Sequence, residues 1–433
     1  MNVSMIGIFV GLALLMFLAY RGNSIVWVAP FCAALVAGMG GLAILETYLG
    51  SYMQGLSNYV LQWFPAFFLG AVYGKVMDMT GSARSLADRL VSLVGAKRAI
   101  LAVTLPCLLM TYGGISLFVV VFVIYPMGYA IYRAADLPRT LLPGAIAYGA
   151  FGITMTTIPG TPQIQNLIPT QFYGTDAMAA PVMSIVGAIL IGIPGYLYLE
   201  WRARRVRAQG QHFVEDSKFV EVSREGPPLP SWHWLSGLLP IITVVIVLNV
   251  LKQHIVVSLL SGIAVCILMN IQQLKVILPA ISAGAEGSLT AIMNTSCAVG
   301  FGSVVRAVPG FAALTTIMMD MPGSILFSEA VAVNVLAGAT GSASGGMSIA
   351  LSALAPQYLE RALALGMSPE LLHRIASLSS GGLDTLPHNG AVLTLLAVSH
   401  CTHKESYWDV CVTTCIIPVI ISMGLALVWG AFL

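Results

Sequence analysis

Charge is what this 433-residue chain has least of: Asp, Glu, Lys and Arg make up 9% of it, against about 25% in soluble globular domains. So few charges cannot clothe the 58% of residues that are hydrophobic in a water-facing surface, which excludes an ordinary soluble domain. The seven cysteines (Cys32, Cys107, Cys266, Cys297, Cys401, Cys411 and Cys415) form no C-x-x-C pair and are scattered in or near apolar segments. That argues against a disulfide framework or a zinc site and suits core packing. A formal charge of +2 is too small to imply a nucleic-acid partner. No Lys or Arg precedes the first apolar stretch, and Tyr20-Arg21-Gly22-Asn23 after it offers no obvious small-residue cleavage site. The stretch is therefore read as a retained helix, not a signal peptide.

Long apolar runs take the place of the missing charge. Those near 4–20, 24–45, 58–74, 180–200, 235–251, 255–271 and 408–432 are close to or longer than the ~17–25 residues a helix needs to cross the hydrocarbon layer. The fold class is accordingly an all-α polytopic membrane protein, in contact with the lipid bilayer over much of its surface.

Internal repetition organises these runs. Gly113-Gly114-Ile115-Ser116 recurs as Gly345-Gly346-Met347-Ser348, 232 positions on, and Thr157-Ile158-Pro159 recurs as Thr385-Leu386-Pro387, 228 positions on. A weaker match relates Gly74-Lys75 to a small residue ahead of Arg306. Two adjacent glycines break a helix inside an apolar run, which predicts helices over about 98–111 and 116–132 that form a re-entrant hairpin. The same reading puts a second hairpin break at Gly345-Gly346. Thr157-Ile158-Pro159-Gly160-Thr161-Pro162 holds two prolines and a glycine and predicts a broken helix. Its second half is expected to start with Thr161 as N-cap and Pro162 in the first turn.

Each repeat then comprises three spans, a hairpin, a broken span and a final span. That is five crossings, and an odd number inverts the second copy. With the N-terminus outside, sixteen of the 20 basic residues fall inside, and only Lys252, Arg306, Arg361 and Arg374 fall outside, as the positive-inside rule requires. The expected organisation is a first inverted repeat over 1–200, a cytoplasmic linker over 201–232 carrying Arg202, Arg204, Arg205 and Arg207, and a second inverted repeat over 233–433.

Broken helices are costly in lipid unless their free backbone groups line a cavity, so the four breaks mark a candidate substrate site. Half-helix N-termini suit an anion, and half-helix C-termini suit a cation. No membrane-depth Lys or Arg is evident, which leaves recognition to backbone amides, hydroxyls and side-chain amides. The candidates are Gly113, Gly114, Ser116, Thr157, Thr161, Gln163 and Asn166 in the first repeat, and Ser342, Ser344, Gly345, Gly346, Ser348, Thr385 and Asn389 in the second. Any single Ser or Thr could instead bond back to its own helix. His388 and Asp384 flank Pro387 at membrane depth and are the candidates for coupling to a proton. Glu286, Glu329 and Asp78 are placed near membrane edges, and His400-Cys401-Thr402-His403 in a cytoplasmic turn, so no metal site and no cofactor is expected. A channel would need a continuous polar pore lining. An enzyme would need acids, bases or metal ligands at membrane depth beyond Asp384 and His388.

Tyr112-Gly113-Gly114-Ile115-Ser116, Thr157-Ile158-Pro159-Gly160-Thr161-Pro162-Gln163 and Ile168-Pro169-Thr170-Gln171-Phe172-Tyr173-Gly174-Thr175 together resemble the gluconate:proton symporter family, nearest its hydroxybutyrate and related carboxylate permeases. The resemblance covers most of the chain. It implies membership of a wider ion-transporter superfamily with paired re-entrant hairpins and two unwound helices, homodimeric and working by an elevator motion in the bacterial inner membrane. It further implies uptake of a small organic anion such as 3-hydroxybutyrate or gluconate with protons. Where sugar-acid carriers tend to have a Pro-Pro-His-Pro type of break, this chain has Thr-Ile-Pro-Gly-Thr-Pro, which favours a smaller hydroxy or keto acid. Sodium coupling is the alternative, since Ser, Thr, Asn and carbonyl oxygens coordinate sodium without a carboxylate.

Overall fold

A computed structural model describes residues 3–21, 23–95, 98–216, 230–319, 321 and 323–431, and among these every regular element is helical. The first half contains α1 (Val3–Tyr20), α2 (Ile25–Met39), α3 (Ile44–Thr47), α4 (Met53–Met79), α5 (Ser82–Val94), α6 (Ala99–Tyr112), α7 (Leu117–Ala134), α8 (Leu142–Ala147), α9 (Ile164–Tyr173) and α10 (Pro181–Ala208). The second contains α11 (Leu235–Asn249), α12 (Ile255–Met269), α13 (Leu274–Ala307), α14 (Gly310–Met319), α15 (Ile325–Thr340), α16 (Ala343–Ala364), α17 (Pro369–Ser380), α18 (Gly390–Val398), α19 (Trp408–Cys411) and α20 (Ile417–Ala431).

Among the described residues, five helical stretches are long and apolar enough to cross a membrane, Ile44–Met79, Leu117–Ala134, Pro181–Ala208, Ile271–Ala307 and His403–Ala431, and six shorter apolar helices accompany them. Along α10, Val182, Ile185, Ile189, Ile193 and Leu197 are all more than half exposed. Their three- and four-residue spacing puts them on one face, and an unbroken apolar stripe of that kind is covered by lipid, not water. The long helices α4 and α13 run against each other at backbone distance, since a Cβ on Gly284 would lie 2.6 Å from the Val72 Cα.

The order of elements recurs at an offset of 226 residues. Ser116 and Ser342 are the N-caps of α7 and α16, Gln163 and Asn389 are the N-caps of α9 and α18, and Pro143 and Pro369 stand in the first turns of α8 and α17. This corrects the second hairpin break. Gly345-Gly346 does not interrupt a helix but lies in the first turn of α16; the break is at Gly341-Ser342. The backbone matches there: Gly114 has φ +87 and Gly341 has φ +60, a left-handed turn that glycine adopts without strain. Gly346 serves packing instead, because a Cβ on it would sit 2.2 Å from the Ala337 Cα in the other arm of the hairpin.

The first hairpin agrees with expectation, with α6 and α7 packed on each other across Gly113–Ser116. The half-helix after the first break starts later than expected. Gln163 is its N-cap, and Thr161-Pro162 is extended chain whose hydroxyl accepts from the Gln163 N–H at 3.4 Å.

Of the linker, residues 217–229 lie outside the described set. The part before them folds back onto the loop after α7. Arg133 pairs with Glu215 at 2.6 Å, His212 with Asp136 at 2.7 Å, and Asp216 reaches His400 at 2.7 Å and Arg139 at 3.7 Å. Segments assigned to the inside by their charge therefore meet on one face.

Candidate functional site

The first break is built around one side-chain amide. Gln163 Nε2 donates to the carbonyl oxygens of Thr111 at 2.8 Å and Ile115 at 3.2 Å, fastening the start of α9 to the tip of the first hairpin. Pro162 presses on the same tip, 2.9 Å from where a Gly114 Cβ would be. The strand of irregular chain between is supported from below: the Gly160 N–H donates to the Ala177 carbonyl at 2.8 Å, and Asn249 Nδ2 donates to the Gly160 carbonyl at 2.8 Å. Asn166 Nδ2 donates to Thr161 O and Ala177 O, both at 2.9 Å. The freed backbone groups of the break are thus met by amide side chains, as hydrocarbon surroundings demand.

The second break repeats the device. Asn389 Nδ2 donates to the Gly341 carbonyl at 3.0 Å, at the second hairpin tip, while its Oδ1 accepts from the N–H groups of Ala391 at 2.7 Å and Val392 at 2.9 Å. His388 is half-buried and its ring lies on Gly341, where a Cβ would come within 2.6 Å of Cδ2. Thr385 is buried and its hydroxyl donates to the Gly382 carbonyl at 3.1 Å and accepts from Thr414 at 3.0 Å. Asp384 is buried, and its Oδ1 has no hydrogen-bond partner among the described residues.

The two broken helices face each other. Ser377 Oγ on α17 donates to the Thr156 carbonyl at 2.7 Å, and Gly381 leaves room for Thr156, whose hydroxyl would be 2.6 Å from a Cβ there. Thr157 and Thr161 are buried beside this contact. Ile241 and Leu259 stand beside Gly113 and Gly114 at the first hairpin tip, and Ala298 beside Gly345 in the first turn of α16. Ser344, Gly345, Gly346 and Ser348 are buried along the first turns of α16.

Capping differs between the repeats. In the second, the Ser342 hydroxyl accepts from the Gly345 N–H at 3.1 Å and Asn389 caps α18, so both helix starts satisfy their own amides. In the first, neither Ser116 nor Gln163 makes a side-chain cap, and Ser116, Gln163 and Ile164 are half-buried. The starts of α7 and α9, joined through Gln163, therefore present N–H groups and the positive ends of two helices toward the same region.

Two charged residues stand where the sequence did not place them. Arg374, assigned outside, is fully buried on α17; its guanidinium donates to the Ala179 carbonyl at 2.8 and 3.1 Å and to Asn166 Oδ1 at 3.0 Å. Glu329, assigned to a membrane edge, is fully buried on α15, with one carboxyl oxygen accepting from the Tyr173 hydroxyl. Only the ionisable side chain itself signalled either position. Among the described residues no group of three or more His, Cys, Asp or Glu side chains is arranged to hold a metal ion.

Comparison with known proteins fits this architecture. The chain is 40% identical to the uncharacterized transporter YxjC of Bacillus subtilis, over 96% of each chain. It is 26% identical to an uncharacterized permease of Haemophilus influenzae, over 57% of this chain and 50% of that one. Its fold is similar to the crystal structure of the Alcanivorax borkumensis YdaH transporter, described there as having an unusual topology, with a TM-score of 0.57 and 14% identity over 90% of this chain and 88% of that one. The description GntP family permease matches residues 1–269, so a transporter, not an enzyme, is embedded in the membrane here, and the chain belongs to the GntP permease family.

Proposed function

We propose that this transporter imports a small organic anion, a hydroxy acid such as 3-hydroxybutyrate or gluconate, by proton symport across the bacterial inner membrane. The observation that carries the reading is the pair of uncapped helix starts at Ser116 and Gln163. A carboxylate satisfies such N–H groups and is favoured by the two helix dipoles. The buried Arg374 guanidinium, bonded to Asn166 one turn into α9, adds positive potential behind the same helix start. Thr157 and Thr161 line the break on the substrate's side. In the second repeat, Ser344, Gly345, Ser348, Thr385 and Asn389 form the opposing wall. His388 and Asp384 at the Pro387 break carry the coupling proton.

The repeats at 1–200 and 233–433 are inverted about the membrane plane, each crossing five times, with the 201–232 linker in the cytoplasm and two copies forming a dimer. With the buried Arg374 set aside, a sixteen-to-three division of the basic residues supports that orientation. Alkaline phosphatase joined after Leu433 is expected to be active and one joined near Gly210 silent; the opposite pattern overturns the inversion.

Uptake of radiolabelled 3-hydroxybutyrate, gluconate, lactate and citrate into proteoliposomes, each under an imposed proton or sodium gradient, tests the function. Accumulation of at least one acid above its equilibrium level under the proton gradient is the expected result. Accumulation only with sodium overturns the proton, and downhill flux alone overturns the carrier.

A further inference from the structure

Glu329 has surroundings that packing does not explain. Its side chain is fully buried on α15, the first arm of the second hairpin; one carboxyl oxygen takes a hydrogen bond from Tyr173 on α9, and Oε2 has no partner among the described residues. The pair spans the two halves of the chain: Tyr173 ends the half-helix whose uncapped start is at Gln163, and Glu329 lies on the hairpin whose tip is held by Asn389. Tyr358 on α16 is buried within electrostatic reach of Glu329, and its hydroxyl is 3.1 Å from that of Ser328. Ser328 and Tyr358 in turn line a cleft with about 10 Å³ of room, bounded by Met321, Ser324 and Arg361, about what a single water requires.

The charged and titratable groups on the neighbouring elements are otherwise engaged or distant in role. On α17, His373 and Arg374 turn to Thr175, Asn166 and Ala179, and Glu370 accepts from the Ala180 N–H. On α16, Glu360 is exposed and Arg361 stands at the cleft. Asp384 lies in the turn before α18, and among the described side chains α14 and α20 carry no charged residue. Of these, no cation is paired with the Glu329 carboxyl. An ionised carboxylate is expensive to bury without a cation, so a carboxyl kept at this position, where an amide could make the Tyr173 bond, points to a use for its proton.

We infer that Glu329 is a proton-binding site of this transporter, reached from the Ser328–Tyr358 cleft, whose protonation state sets the strength of the link between the second hairpin and α9. An O–H bond forms at Oε2 as a hydronium ion gives up its proton and reverts to water; nothing is oxidised or reduced. Ionised, Glu329 holds Tyr173 through a charge-assisted hydrogen bond, which is about twice as strong as a neutral one. Protonated, it holds Tyr173 less tightly, and the half-helix at the substrate site is freer to move against the hairpin. The coupling proton thereby acts on the same element that binds the anion. This inference rests on the proton-coupled reading above and adds Glu329 to Asp384 and His388.

Two measurements separate its failure from that of the transport reading. Infrared difference spectra of the purified protein between acid and neutral pH, without substrate, should show a protonated-carboxyl C=O band that is lost in Glu329→Gln and displaced to another pH in Tyr173→Phe. In proteoliposomes, Glu329→Gln should keep exchange of labelled acid within about twofold and lose accumulation under a pH gradient at least tenfold. An unchanged infrared band in Glu329→Gln overturns the inference even if no offered acid proves to be a substrate, and so does wild-type accumulation by that variant. Should Glu329→Gln fail to insert, Tyr173→Phe decides alone: a band titrating as in wild type overturns it.

Discussion

Gln163 holds the carbonyl of Thr111 at 2.8 Å and, with its second bond to Ile115, ties the start of a half-helix to the tip of a hairpin 52 residues away. The second repeat makes the equivalent tie from Asn389 to Gly341 at 3.0 Å. Both amides act at the N-cap of the half-helix, so the hairpins and the broken helices are mechanically one unit in each repeat.

Removing either tie should uncouple them. Gln163→Ala takes the donor from the Ile115 carbonyl and leaves the Thr111 carbonyl only the Gly114 N–H, at about 1–3 kcal/mol where a group is left unsatisfied. Asn389→Ala adds the loss of a cap, about 0.5–2 kcal/mol. Both variants should insert, melt earlier in detergent and transport at under a tenth of the wild-type rate. Wild-type transport by Gln163→Ala would show that the tie is dispensable.

The two glycine pairs should fail differently. Gly114→Val forces a β-branched residue to φ +87 against Pro162 at the hairpin tip, so the protein inserts and transport is abolished. Gly346→Val drives a side chain into the Ala337 backbone inside the hairpin, so the amount of folded protein itself should fall. Size-exclusion profiles with labelled uptake distinguish the cases. Equal folded yields for both variants would contradict the packing role of Gly346.

At the face where the linker folds back, Glu215 is held below the ordinary carboxylate value of 4.5, first by its hydrogen bond from Arg133 and then by that from Tyr129. Asp136 is lowered likewise by His212 and by the Phe213 N–H. A carboxylate lowered in the folded state contributes stability above its unfolded pKa and loses it as pH falls through the folded one. The anchoring of residues 212–216 should therefore hold at neutral pH and loosen below about pH 4.5. Limited proteolysis near residue 216 should accelerate over that window, and Glu215→Gln should flatten part of the response. A cleavage rate independent of pH would contradict it.

Much of this was legible in the sequence, for physical reasons that also mark where legibility ended. Gly113-Gly114 and Thr157–Pro162 interrupt apolar runs with residues that cannot continue a helix, and both breaks stand where expected. Gly345-Gly346 looks the same and is not a break, because glycine serves close helix packing as well as helix termination, and only the position of the Ala337 backbone separates the two uses. The start of α9 was misjudged by two residues because proline fits a first helical turn and equally well the extended chain before it. The sequence places Arg374 outside and Glu329 at a membrane edge because distance along an apolar run measures depth only for a straight span. The short helix α17 carries Arg374, which the charge count places outside, yet it packs inside against α9, α15 and α16.

The central claim is that an organic anion and a proton cross together, and it is tested most directly by following both at once. Proteoliposomes carrying a pH-sensitive dye in the lumen, in sodium-free buffer, would be given labelled 3-hydroxybutyrate, with protein-free liposomes as the control for passive entry of the undissociated acid. The account predicts lumen acidification in step with uptake of the label in the wild type, and substrate binding without accumulation in His388→Gln. Uptake that leaves the lumen pH unchanged, or that proceeds only when sodium is added, would contradict it.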